Sequence, residues 1–161
     1  MLILLSDHGH AFGEHGYAGK VPGALYPELT DTIFFMRHPG GKGADQSSDH
    51  YASTHDVAPT ILGAMGLEPH PQMGGQDLSV MLDGEDPGPR THFTAGYHDH
   101  VWTRDEKYAM FCLYNGSDPH LFDLENDPKM DKNIASSNPD VVKKMFDEYI
   151  IKDAGGPLPH Y

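Results

Sequence analysis

The chain opens MLILLSDHGHAFGEHGYAGK, an apolar run over residues 1–5 that passes without a break into a loop dense in Asp, His and Gly. No other feature constrains the fold as much. An uninterrupted apolar run bounded by polar and turn-forming residues reads as a strand buried on both faces, the kind found in a parallel sheet. In open α/β sheets, the loop leaving the carboxyl end of such a strand is where sites are built. Asp7 and His8 stand at that exit.

Downstream, residues 22–29 suit a short helix through Ala24, Leu25 and Leu29, and residues 32–36 form a second buried strand. His38-Pro39-Gly40-Gly41 stops that strand. Thr54 or Asp56 can cap a helix that has Pro59 in its first turn, Ile61, Leu62 and Met65 on its apolar face, and Gly66 at its end. A glycine turn and a brief helix over residues 74–82 lead into the linker-like DGEDPGPR. The texture then changes. THFTAGYH, HVWTR and KYAMFCLY are short runs rich in β-branched and aromatic residues, which predict an antiparallel meander, and HLFDLENDP adds one more strand and turn. Asn138-Pro139-Asp140 opens a last helix to about residue 152, with Val141, Met145, Phe146 and Tyr149 at helical spacing. The expected organisation is an α/β piece over residues 1–85 and a small α+β piece over 86–161.

Composition narrows the function classes. With 24 acidic against 11 basic residues, the formal charge of −13 repels nucleic acid and anionic membrane, so neither is an expected partner. Cys112 is the single cysteine, which rules out an intrachain disulfide or a cysteine-based zinc site. The first residues lack a basic n-region and a cleavage site, and the apolar run is far too short to span a membrane.

The opening loop has the chemistry for half a metal site. A carboxylate suits a hard cation, while an imidazole is tolerated by manganese, iron or zinc. Gly9 lets the backbone turn away, His10 and His15 can add ligands or proton donors, and Lys20 supplies a fixed positive charge. Taken alone, DHGH fits a hydrogen-bonded loop pair better than a cation site, and a single lysine fits a solvated surface.

The order of several pieces says more. LILLSDHGHAFGEHGYAGK, TIFFMRHPG, STHDVAPTILGAMGLEP, GGQDLSVMLDG and KYAMFCLYNGSDPHLFDLENDP follow one another along residues 2–152. Together they resemble the C-terminal part of sulfatases, in the alkaline phosphatase superfamily. The resemblance implies part of an alkaline-phosphatase-like α/β sheet with flanking helices, followed by a small C-terminal antiparallel sheet with a terminal helix. It implies that Asp7 binds an active-site divalent cation with His8 as neighbouring ligand, that Lys20 contacts sulfate or phosphate oxygens, and that His15 lines the same region. Calcium is the cation usual in sulfatases. A histidine at position 8, where many relatives have Asn, leaves manganese or another transition metal open. The helix over residues 54–65 is expected to be structural. The C-terminal subdomain borders the substrate entrance in relatives, which offers Tyr97, His98, His100 and Trp102 for contact with a substrate's organic part, with surface or core packing the expected main role of each.

One departure from the family is large. No Cys/Ser-x-Pro/Ala-x-Arg nucleophile motif occurs in this sequence, and Cys112, followed by Leu113-Tyr114-Asn115, does not supply one. The expectation is therefore a C-terminal fragment of a sulfatase-like hydrolase, with half of the site and negligible activity alone. Any export signal, common in the family, would lie in the portion not present. A phosphonate monoester or phosphodiester hydrolase of the same superfamily is the near rival, and a non-catalytic metal-, anion- or partner-binding module the distant one. A sheet stripped of its covering is further expected to self-associate through strand edges.

Overall fold

The computed structural model describes residues 1–159. In chain order, its strands among these residues are β1 (Leu2–Leu5), β2 (Ala11–Phe12), β3 (Ala18–Gly19), β4 (Phe34–Arg37), β5 (Phe93–Tyr97), β6 (His100–Arg104), β7 (Tyr108–Leu113) and β8 (His120–Asp123). The α-helices are α1 (Pro27–Thr30), α2 (Val57–Ala64) and α3 (Pro139–Lys144). The chain forms two compact units. One holds Met1–Asp7 with Thr32–Arg90, and the other holds His8–Asp31 with the chain from Thr91 onward.

In the first unit β1 pairs antiparallel with β4, in the register Leu2↔Arg37, Ile3↔Met36, Leu4↔Phe35 and Leu5↔Phe34. This corrects the parallel, doubly buried reading of the opening run. A continuous apolar stretch records that a strand belongs in a core but carries no information on the direction of its neighbour. Nor are both faces covered. Leu2, Leu4 and Phe35 are 61%, 55% and 61% exposed, whereas the alternate residues Ile3, Leu5, Phe34 and Met36 are half-buried.

The rest of this unit is organised around Asp56, whose carboxylate is fully buried. Ser53 opens the helical segment with a capping box: its hydroxyl accepts from His55 N, and its own N–H donates to Asp56 Oδ2 at 2.7 Å. Gln76 N donates to Asp56 Oδ1 at 2.8 Å, and Arg90 grips both oxygens at 2.7 and 2.8 Å. Burial pushes the Asp56 carboxyl up, but Arg90 and the two backbone donors outweigh it and hold the group below its ordinary value. Gly75 is required at this hub, because a Cβ there would lie 2.0 Å from the His55 carbonyl oxygen. The expected structural role of the 54–65 segment thus has a concrete basis: α2 is tied to the 76 and 90 regions through one carboxylate.

The second unit contains the sheet β5-β6-β7-β8, antiparallel throughout, as the meander reading expected. Alternation along its strands feeds two cores. Trp102, Ala109, Phe111 and Phe122 pack with Leu25, Leu29 and Met130, while Val101, Met110, Cys112 and Leu121 pack with Ala135, Met145 and Ile150. Leu25 and Leu29 explain why the 8–31 excursion groups with the C-terminal sheet. The last helix continues from α3 as a π-helical turn over Met145–Ile151. Met145 and Ile150 are both buried five positions apart, a spacing that the i to i+5 ladder of a π-helix brings to one side.

Candidate functional site

Asp7 is exposed and belongs to the first unit, whereas His8, His15 and Lys20 belong to the second. Within the second unit, Gly9 is fixed by close approach rather than by a turn. Its N–H donates to Leu29 O at 2.9 Å, and a Cβ would meet the Glu28 carbonyl oxygen at 1.9 Å. Beside it, His8 Nδ1 lies 2.7 Å from the Gly9 carbonyl oxygen. A carbonyl can only accept, so Nδ1 carries a proton in this contact.

The loop next folds into the β2–β3 hairpin, with Ala11 opposite Gly19 and Phe12 opposite Ala18. At its tip Glu14 accepts from Phe12 N, and His15 adopts φ 51°, in the left-handed region that is uncommon for residues other than glycine. Long-range contacts hold it there. The His15 ring stacks on Tyr26 at 3.9 Å with planes 2° apart, and Nε2 lies 2.9 Å from Lys129 O. Nδ1 faces Glu28 Oε2 at 3.4 Å, an ion-pair distance outside hydrogen-bond geometry. These contacts make His15 a pin for the hairpin tip. Tyr26, its stacking platform, gave no signal in the sequence reading; the pairing becomes visible only once α1 is in place.

Lys20 follows β3 directly. Its ammonium sits 4.4 Å from the centre of the Tyr97 ring, and among the described residues it has no carboxylate within ion-pair distance. Lys20 and His15 therefore rest on different aromatic partners. Trp102 is core, as expected. His98 and His100 both turn Nδ1 to Asp99 Oδ1, at 3.1 and 2.8 Å, and these bonds, His98 first, hold the Asp99 carboxyl below its ordinary range. Cys112 is buried in the meander and its thiol is pushed up to about 12 by that burial, so it is not an attacking group at neutral pH.

Sulfatases as a family work with a divalent cation. The donors of this chain do not make up such a site by themselves: among the described residues, no three His, Cys, Asp or Glu side chains gather where one ion could be held. Calcium takes six to eight oxygen ligands, and a catalytic zinc about three protein ligands, so Asp7 and His8 are at most a partial set.

The comparisons with known proteins agree on one group. A family model described as N-sulphoglucosamine sulphohydrolase, C-terminal, matches residues 13–152. An N-acetylglucosamine-6-O-sulfatase of Bacteroides thetaiotaomicron is 26% identical over 147 residues, covering 83% of this chain and 26% of that protein. Among solved structures, a phosphonate monoester hydrolase of Agrobacterium radiobacter superposes with a TM-score of 0.79 at 24% identity, over 95% of this chain and 34% of its own. A protein solved in complex with its substrate D-glucosamine-2-N,6-O-disulfate gives 0.74 at 22% identity, over 91% and 33%. These likenesses carry the expected sulfatase-type fold, with its antiparallel C-terminal sheet and final helix. The chain spans about a quarter of the length of the curated relatives it matches. With the family model matching most of its residues, this chain belongs to the C-terminal domain family of the sulphohydrolases, corresponding to the C-terminal portion of a sulfatase.

Proposed function

We propose that this chain supplies the oxyanion-binding part of a sulfuric ester hydrolase acting on sulfated amino sugars, and that further polypeptide supplies the attacking group. The observation that carries the reading is Lys20: in a chain with 24 acidic residues, its ammonium has an aromatic ring beneath it and no carboxylate beside it among the described residues. A cation so placed is available to a sulfate oxygen and gains strength as charge builds there during S–O cleavage. The names of the relatives, one a 6-O-sulfatase and one captured with a glucosamine disulfate, support the substrate class.

Asp7 and His8 are assigned to a divalent cation, calcium first, completed by ligands outside this chain. The Nδ1 proton of His8 on a backbone carbonyl supports this, because metal-binding histidines commonly donate their other ring N–H to such an acceptor. His15 is assigned to holding the hairpin that ends in Lys20. The absent nucleophile motif and the inert Cys112 support negligible activity of the chain alone.

Two measurements test the reading. The purified 161-residue chain is expected to leave 4-nitrophenyl sulfate and glucosamine 6-sulfate uncleaved above background; robust turnover of either overturns the division of labour. Inorganic sulfate, titrated at fixed ionic strength and followed by NMR, is expected to shift Lys20 and its neighbours in the wild type but not in Lys20→Ala. A second reading, phosphonate monoester hydrolysis, draws on the 0.79 superposition. Methylphosphonate binding at Lys20 with sulfate excluded would favour it.

A further inference from the structure

We infer that Tyr97 and the tip of the β5–β6 hairpin form the platform that positions Lys20 for its oxyanion, making Tyr97 a positioning residue. The inference rests on the proposed role of Lys20 and deepens it. A lysine is a flexible four-carbon stem with a strongly hydrated head, so a lone exposed one samples many positions. Lys20 differs in what lies beneath it. Its ammonium is 4.4 Å from the Tyr97 ring centre, within reach of the negative face of the ring. Tyr97 is itself fixed, because it ends β5, pairs with His100 in the sheet register, and packs against the core formed by Leu25, Trp102 and Phe111.

A second contact joins the same two segments three residues further on. An ideal Cβ on Gly23 would lie 3.3 Å from His100 Nε2, so the 20–23 segment runs directly against the imidazole. That imidazole is aimed by Asp99, which holds His100 Nδ1 at 2.8 Å on the carboxylate oxygen it also offers to His98. His98 has φ 57°, so the tip is a tight, specified turn. The stretch carrying Lys20 thus lies close against the hairpin at two points, the ring of Tyr97 and the imidazole of His100. The ring of Tyr97 is the active element in this, rather than its hydroxyl.

The test uses the 161-residue chain and two readouts. The Lys20 Hε resonances are expected upfield in the wild type and in Tyr97→Phe, from the ring current, and at ordinary values in Tyr97→Leu. Inorganic sulfate is expected to bind Tyr97→Phe as it binds the wild type, and Tyr97→Leu about two- to fivefold more weakly, the range of an exposed cation–π contact. Gly23→Ala is expected to move the His100 ring resonances and to weaken sulfate binding as well. Hε shifts untouched by Tyr97→Leu would show that Lys20 does not rest on the ring, and equal sulfate affinity in Tyr97→Leu would show that the ring does not position it; either overturns the inference while Lys20→Ala still decides the oxyanion reading. If the wild type binds no sulfate, that reading falls and takes the functional half of the inference with it, leaving the ring current to decide the placement.

Discussion

The β1–β4 pair and the β5–β8 meander draw on similar residues. LILL and FFMR are no less apolar than HVWTR and YAMFCL. Their surroundings differ sharply. In the meander, Ala109, Met110, Phe111 and Cys112 are all essentially inaccessible, because one face meets Leu25, Leu29 and Met130 and the other meets the C-terminal helix. In the β1–β4 pair one whole face, with Leu2, Leu4 and Phe35, stays open among the described residues. A two-stranded sheet is marginal on its own, and three or more strands with a covered face are normally needed. Hydrophobic strand sequence and a completed hydrophobic core are therefore separate facts, and this chain has both in one place and only the first in the other.

The largest expected contrast comes from truncating one aromatic in each sheet. Phe111→Ala should cost about 3–5 kcal/mol in urea unfolding, as a buried Phe does, whereas Phe35→Ala should cost less than about 1 kcal/mol. Equal losses would break the comparison by showing that the β1–β4 face is covered in solution.

Arg90→Met sharpens it from the other side, since the first unit does have one well-buried element. Leaving the buried Asp56 charge without its counter-ion should cost about 3–5 kcal/mol near neutral pH. The pH dependence has a definite sign. Asp56 titrates lower in the folded than in the unfolded chain, so its contribution is complete above about pH 4 and is lost as pH falls through the folded value. In Arg90→Met the backbone donors of Ser53 and Gln76 remain but the ion pair is gone, so the gap between the two proteins should narrow on acidification. A constant gap between pH 7 and pH 3 would count against the ion pair as the cause.

Asn133→Ala probes the edge of the meander. Its Oδ1 accepts from Leu121 N and Ala135 N, so the change should cost about 1–3 kcal/mol by leaving buried backbone donors unmet. The smallest effect on stability, within about 0.5 kcal/mol, is expected for Leu4→Asp. Its consequence should instead appear in light scattering. If the open face drives self-association, the wild type is larger than a monomer and the variant is not; a monomeric wild type would remove the idea.

Local pattern made much of this legible. The β-branched and aromatic runs gave all four strands of the meander, Pro59 and the capping residues gave α2, and Asn138-Pro139 gave the last helix. The features missed are those that depend on distant partners. Nothing near Asp56 announces Arg90, 34 positions on, and nothing near His15 announces the Lys129 carbonyl, 114 positions away. The antiparallel partner of β1 was hidden for the same reason. Lys20 could be singled out by its place in an ordered set of motifs, but its seat on Tyr97 requires a hairpin tip contributed from much later in the chain.

The thiol of Cys112 has a practical consequence. It is sealed near the end of β7 and stays protonated well above neutral pH, so a thiol-directed dye cannot label it while the meander is shut. As the chain carries no other cysteine, labelling kinetics would time the breathing of that sheet alone, a native stopwatch that needs no engineered probe.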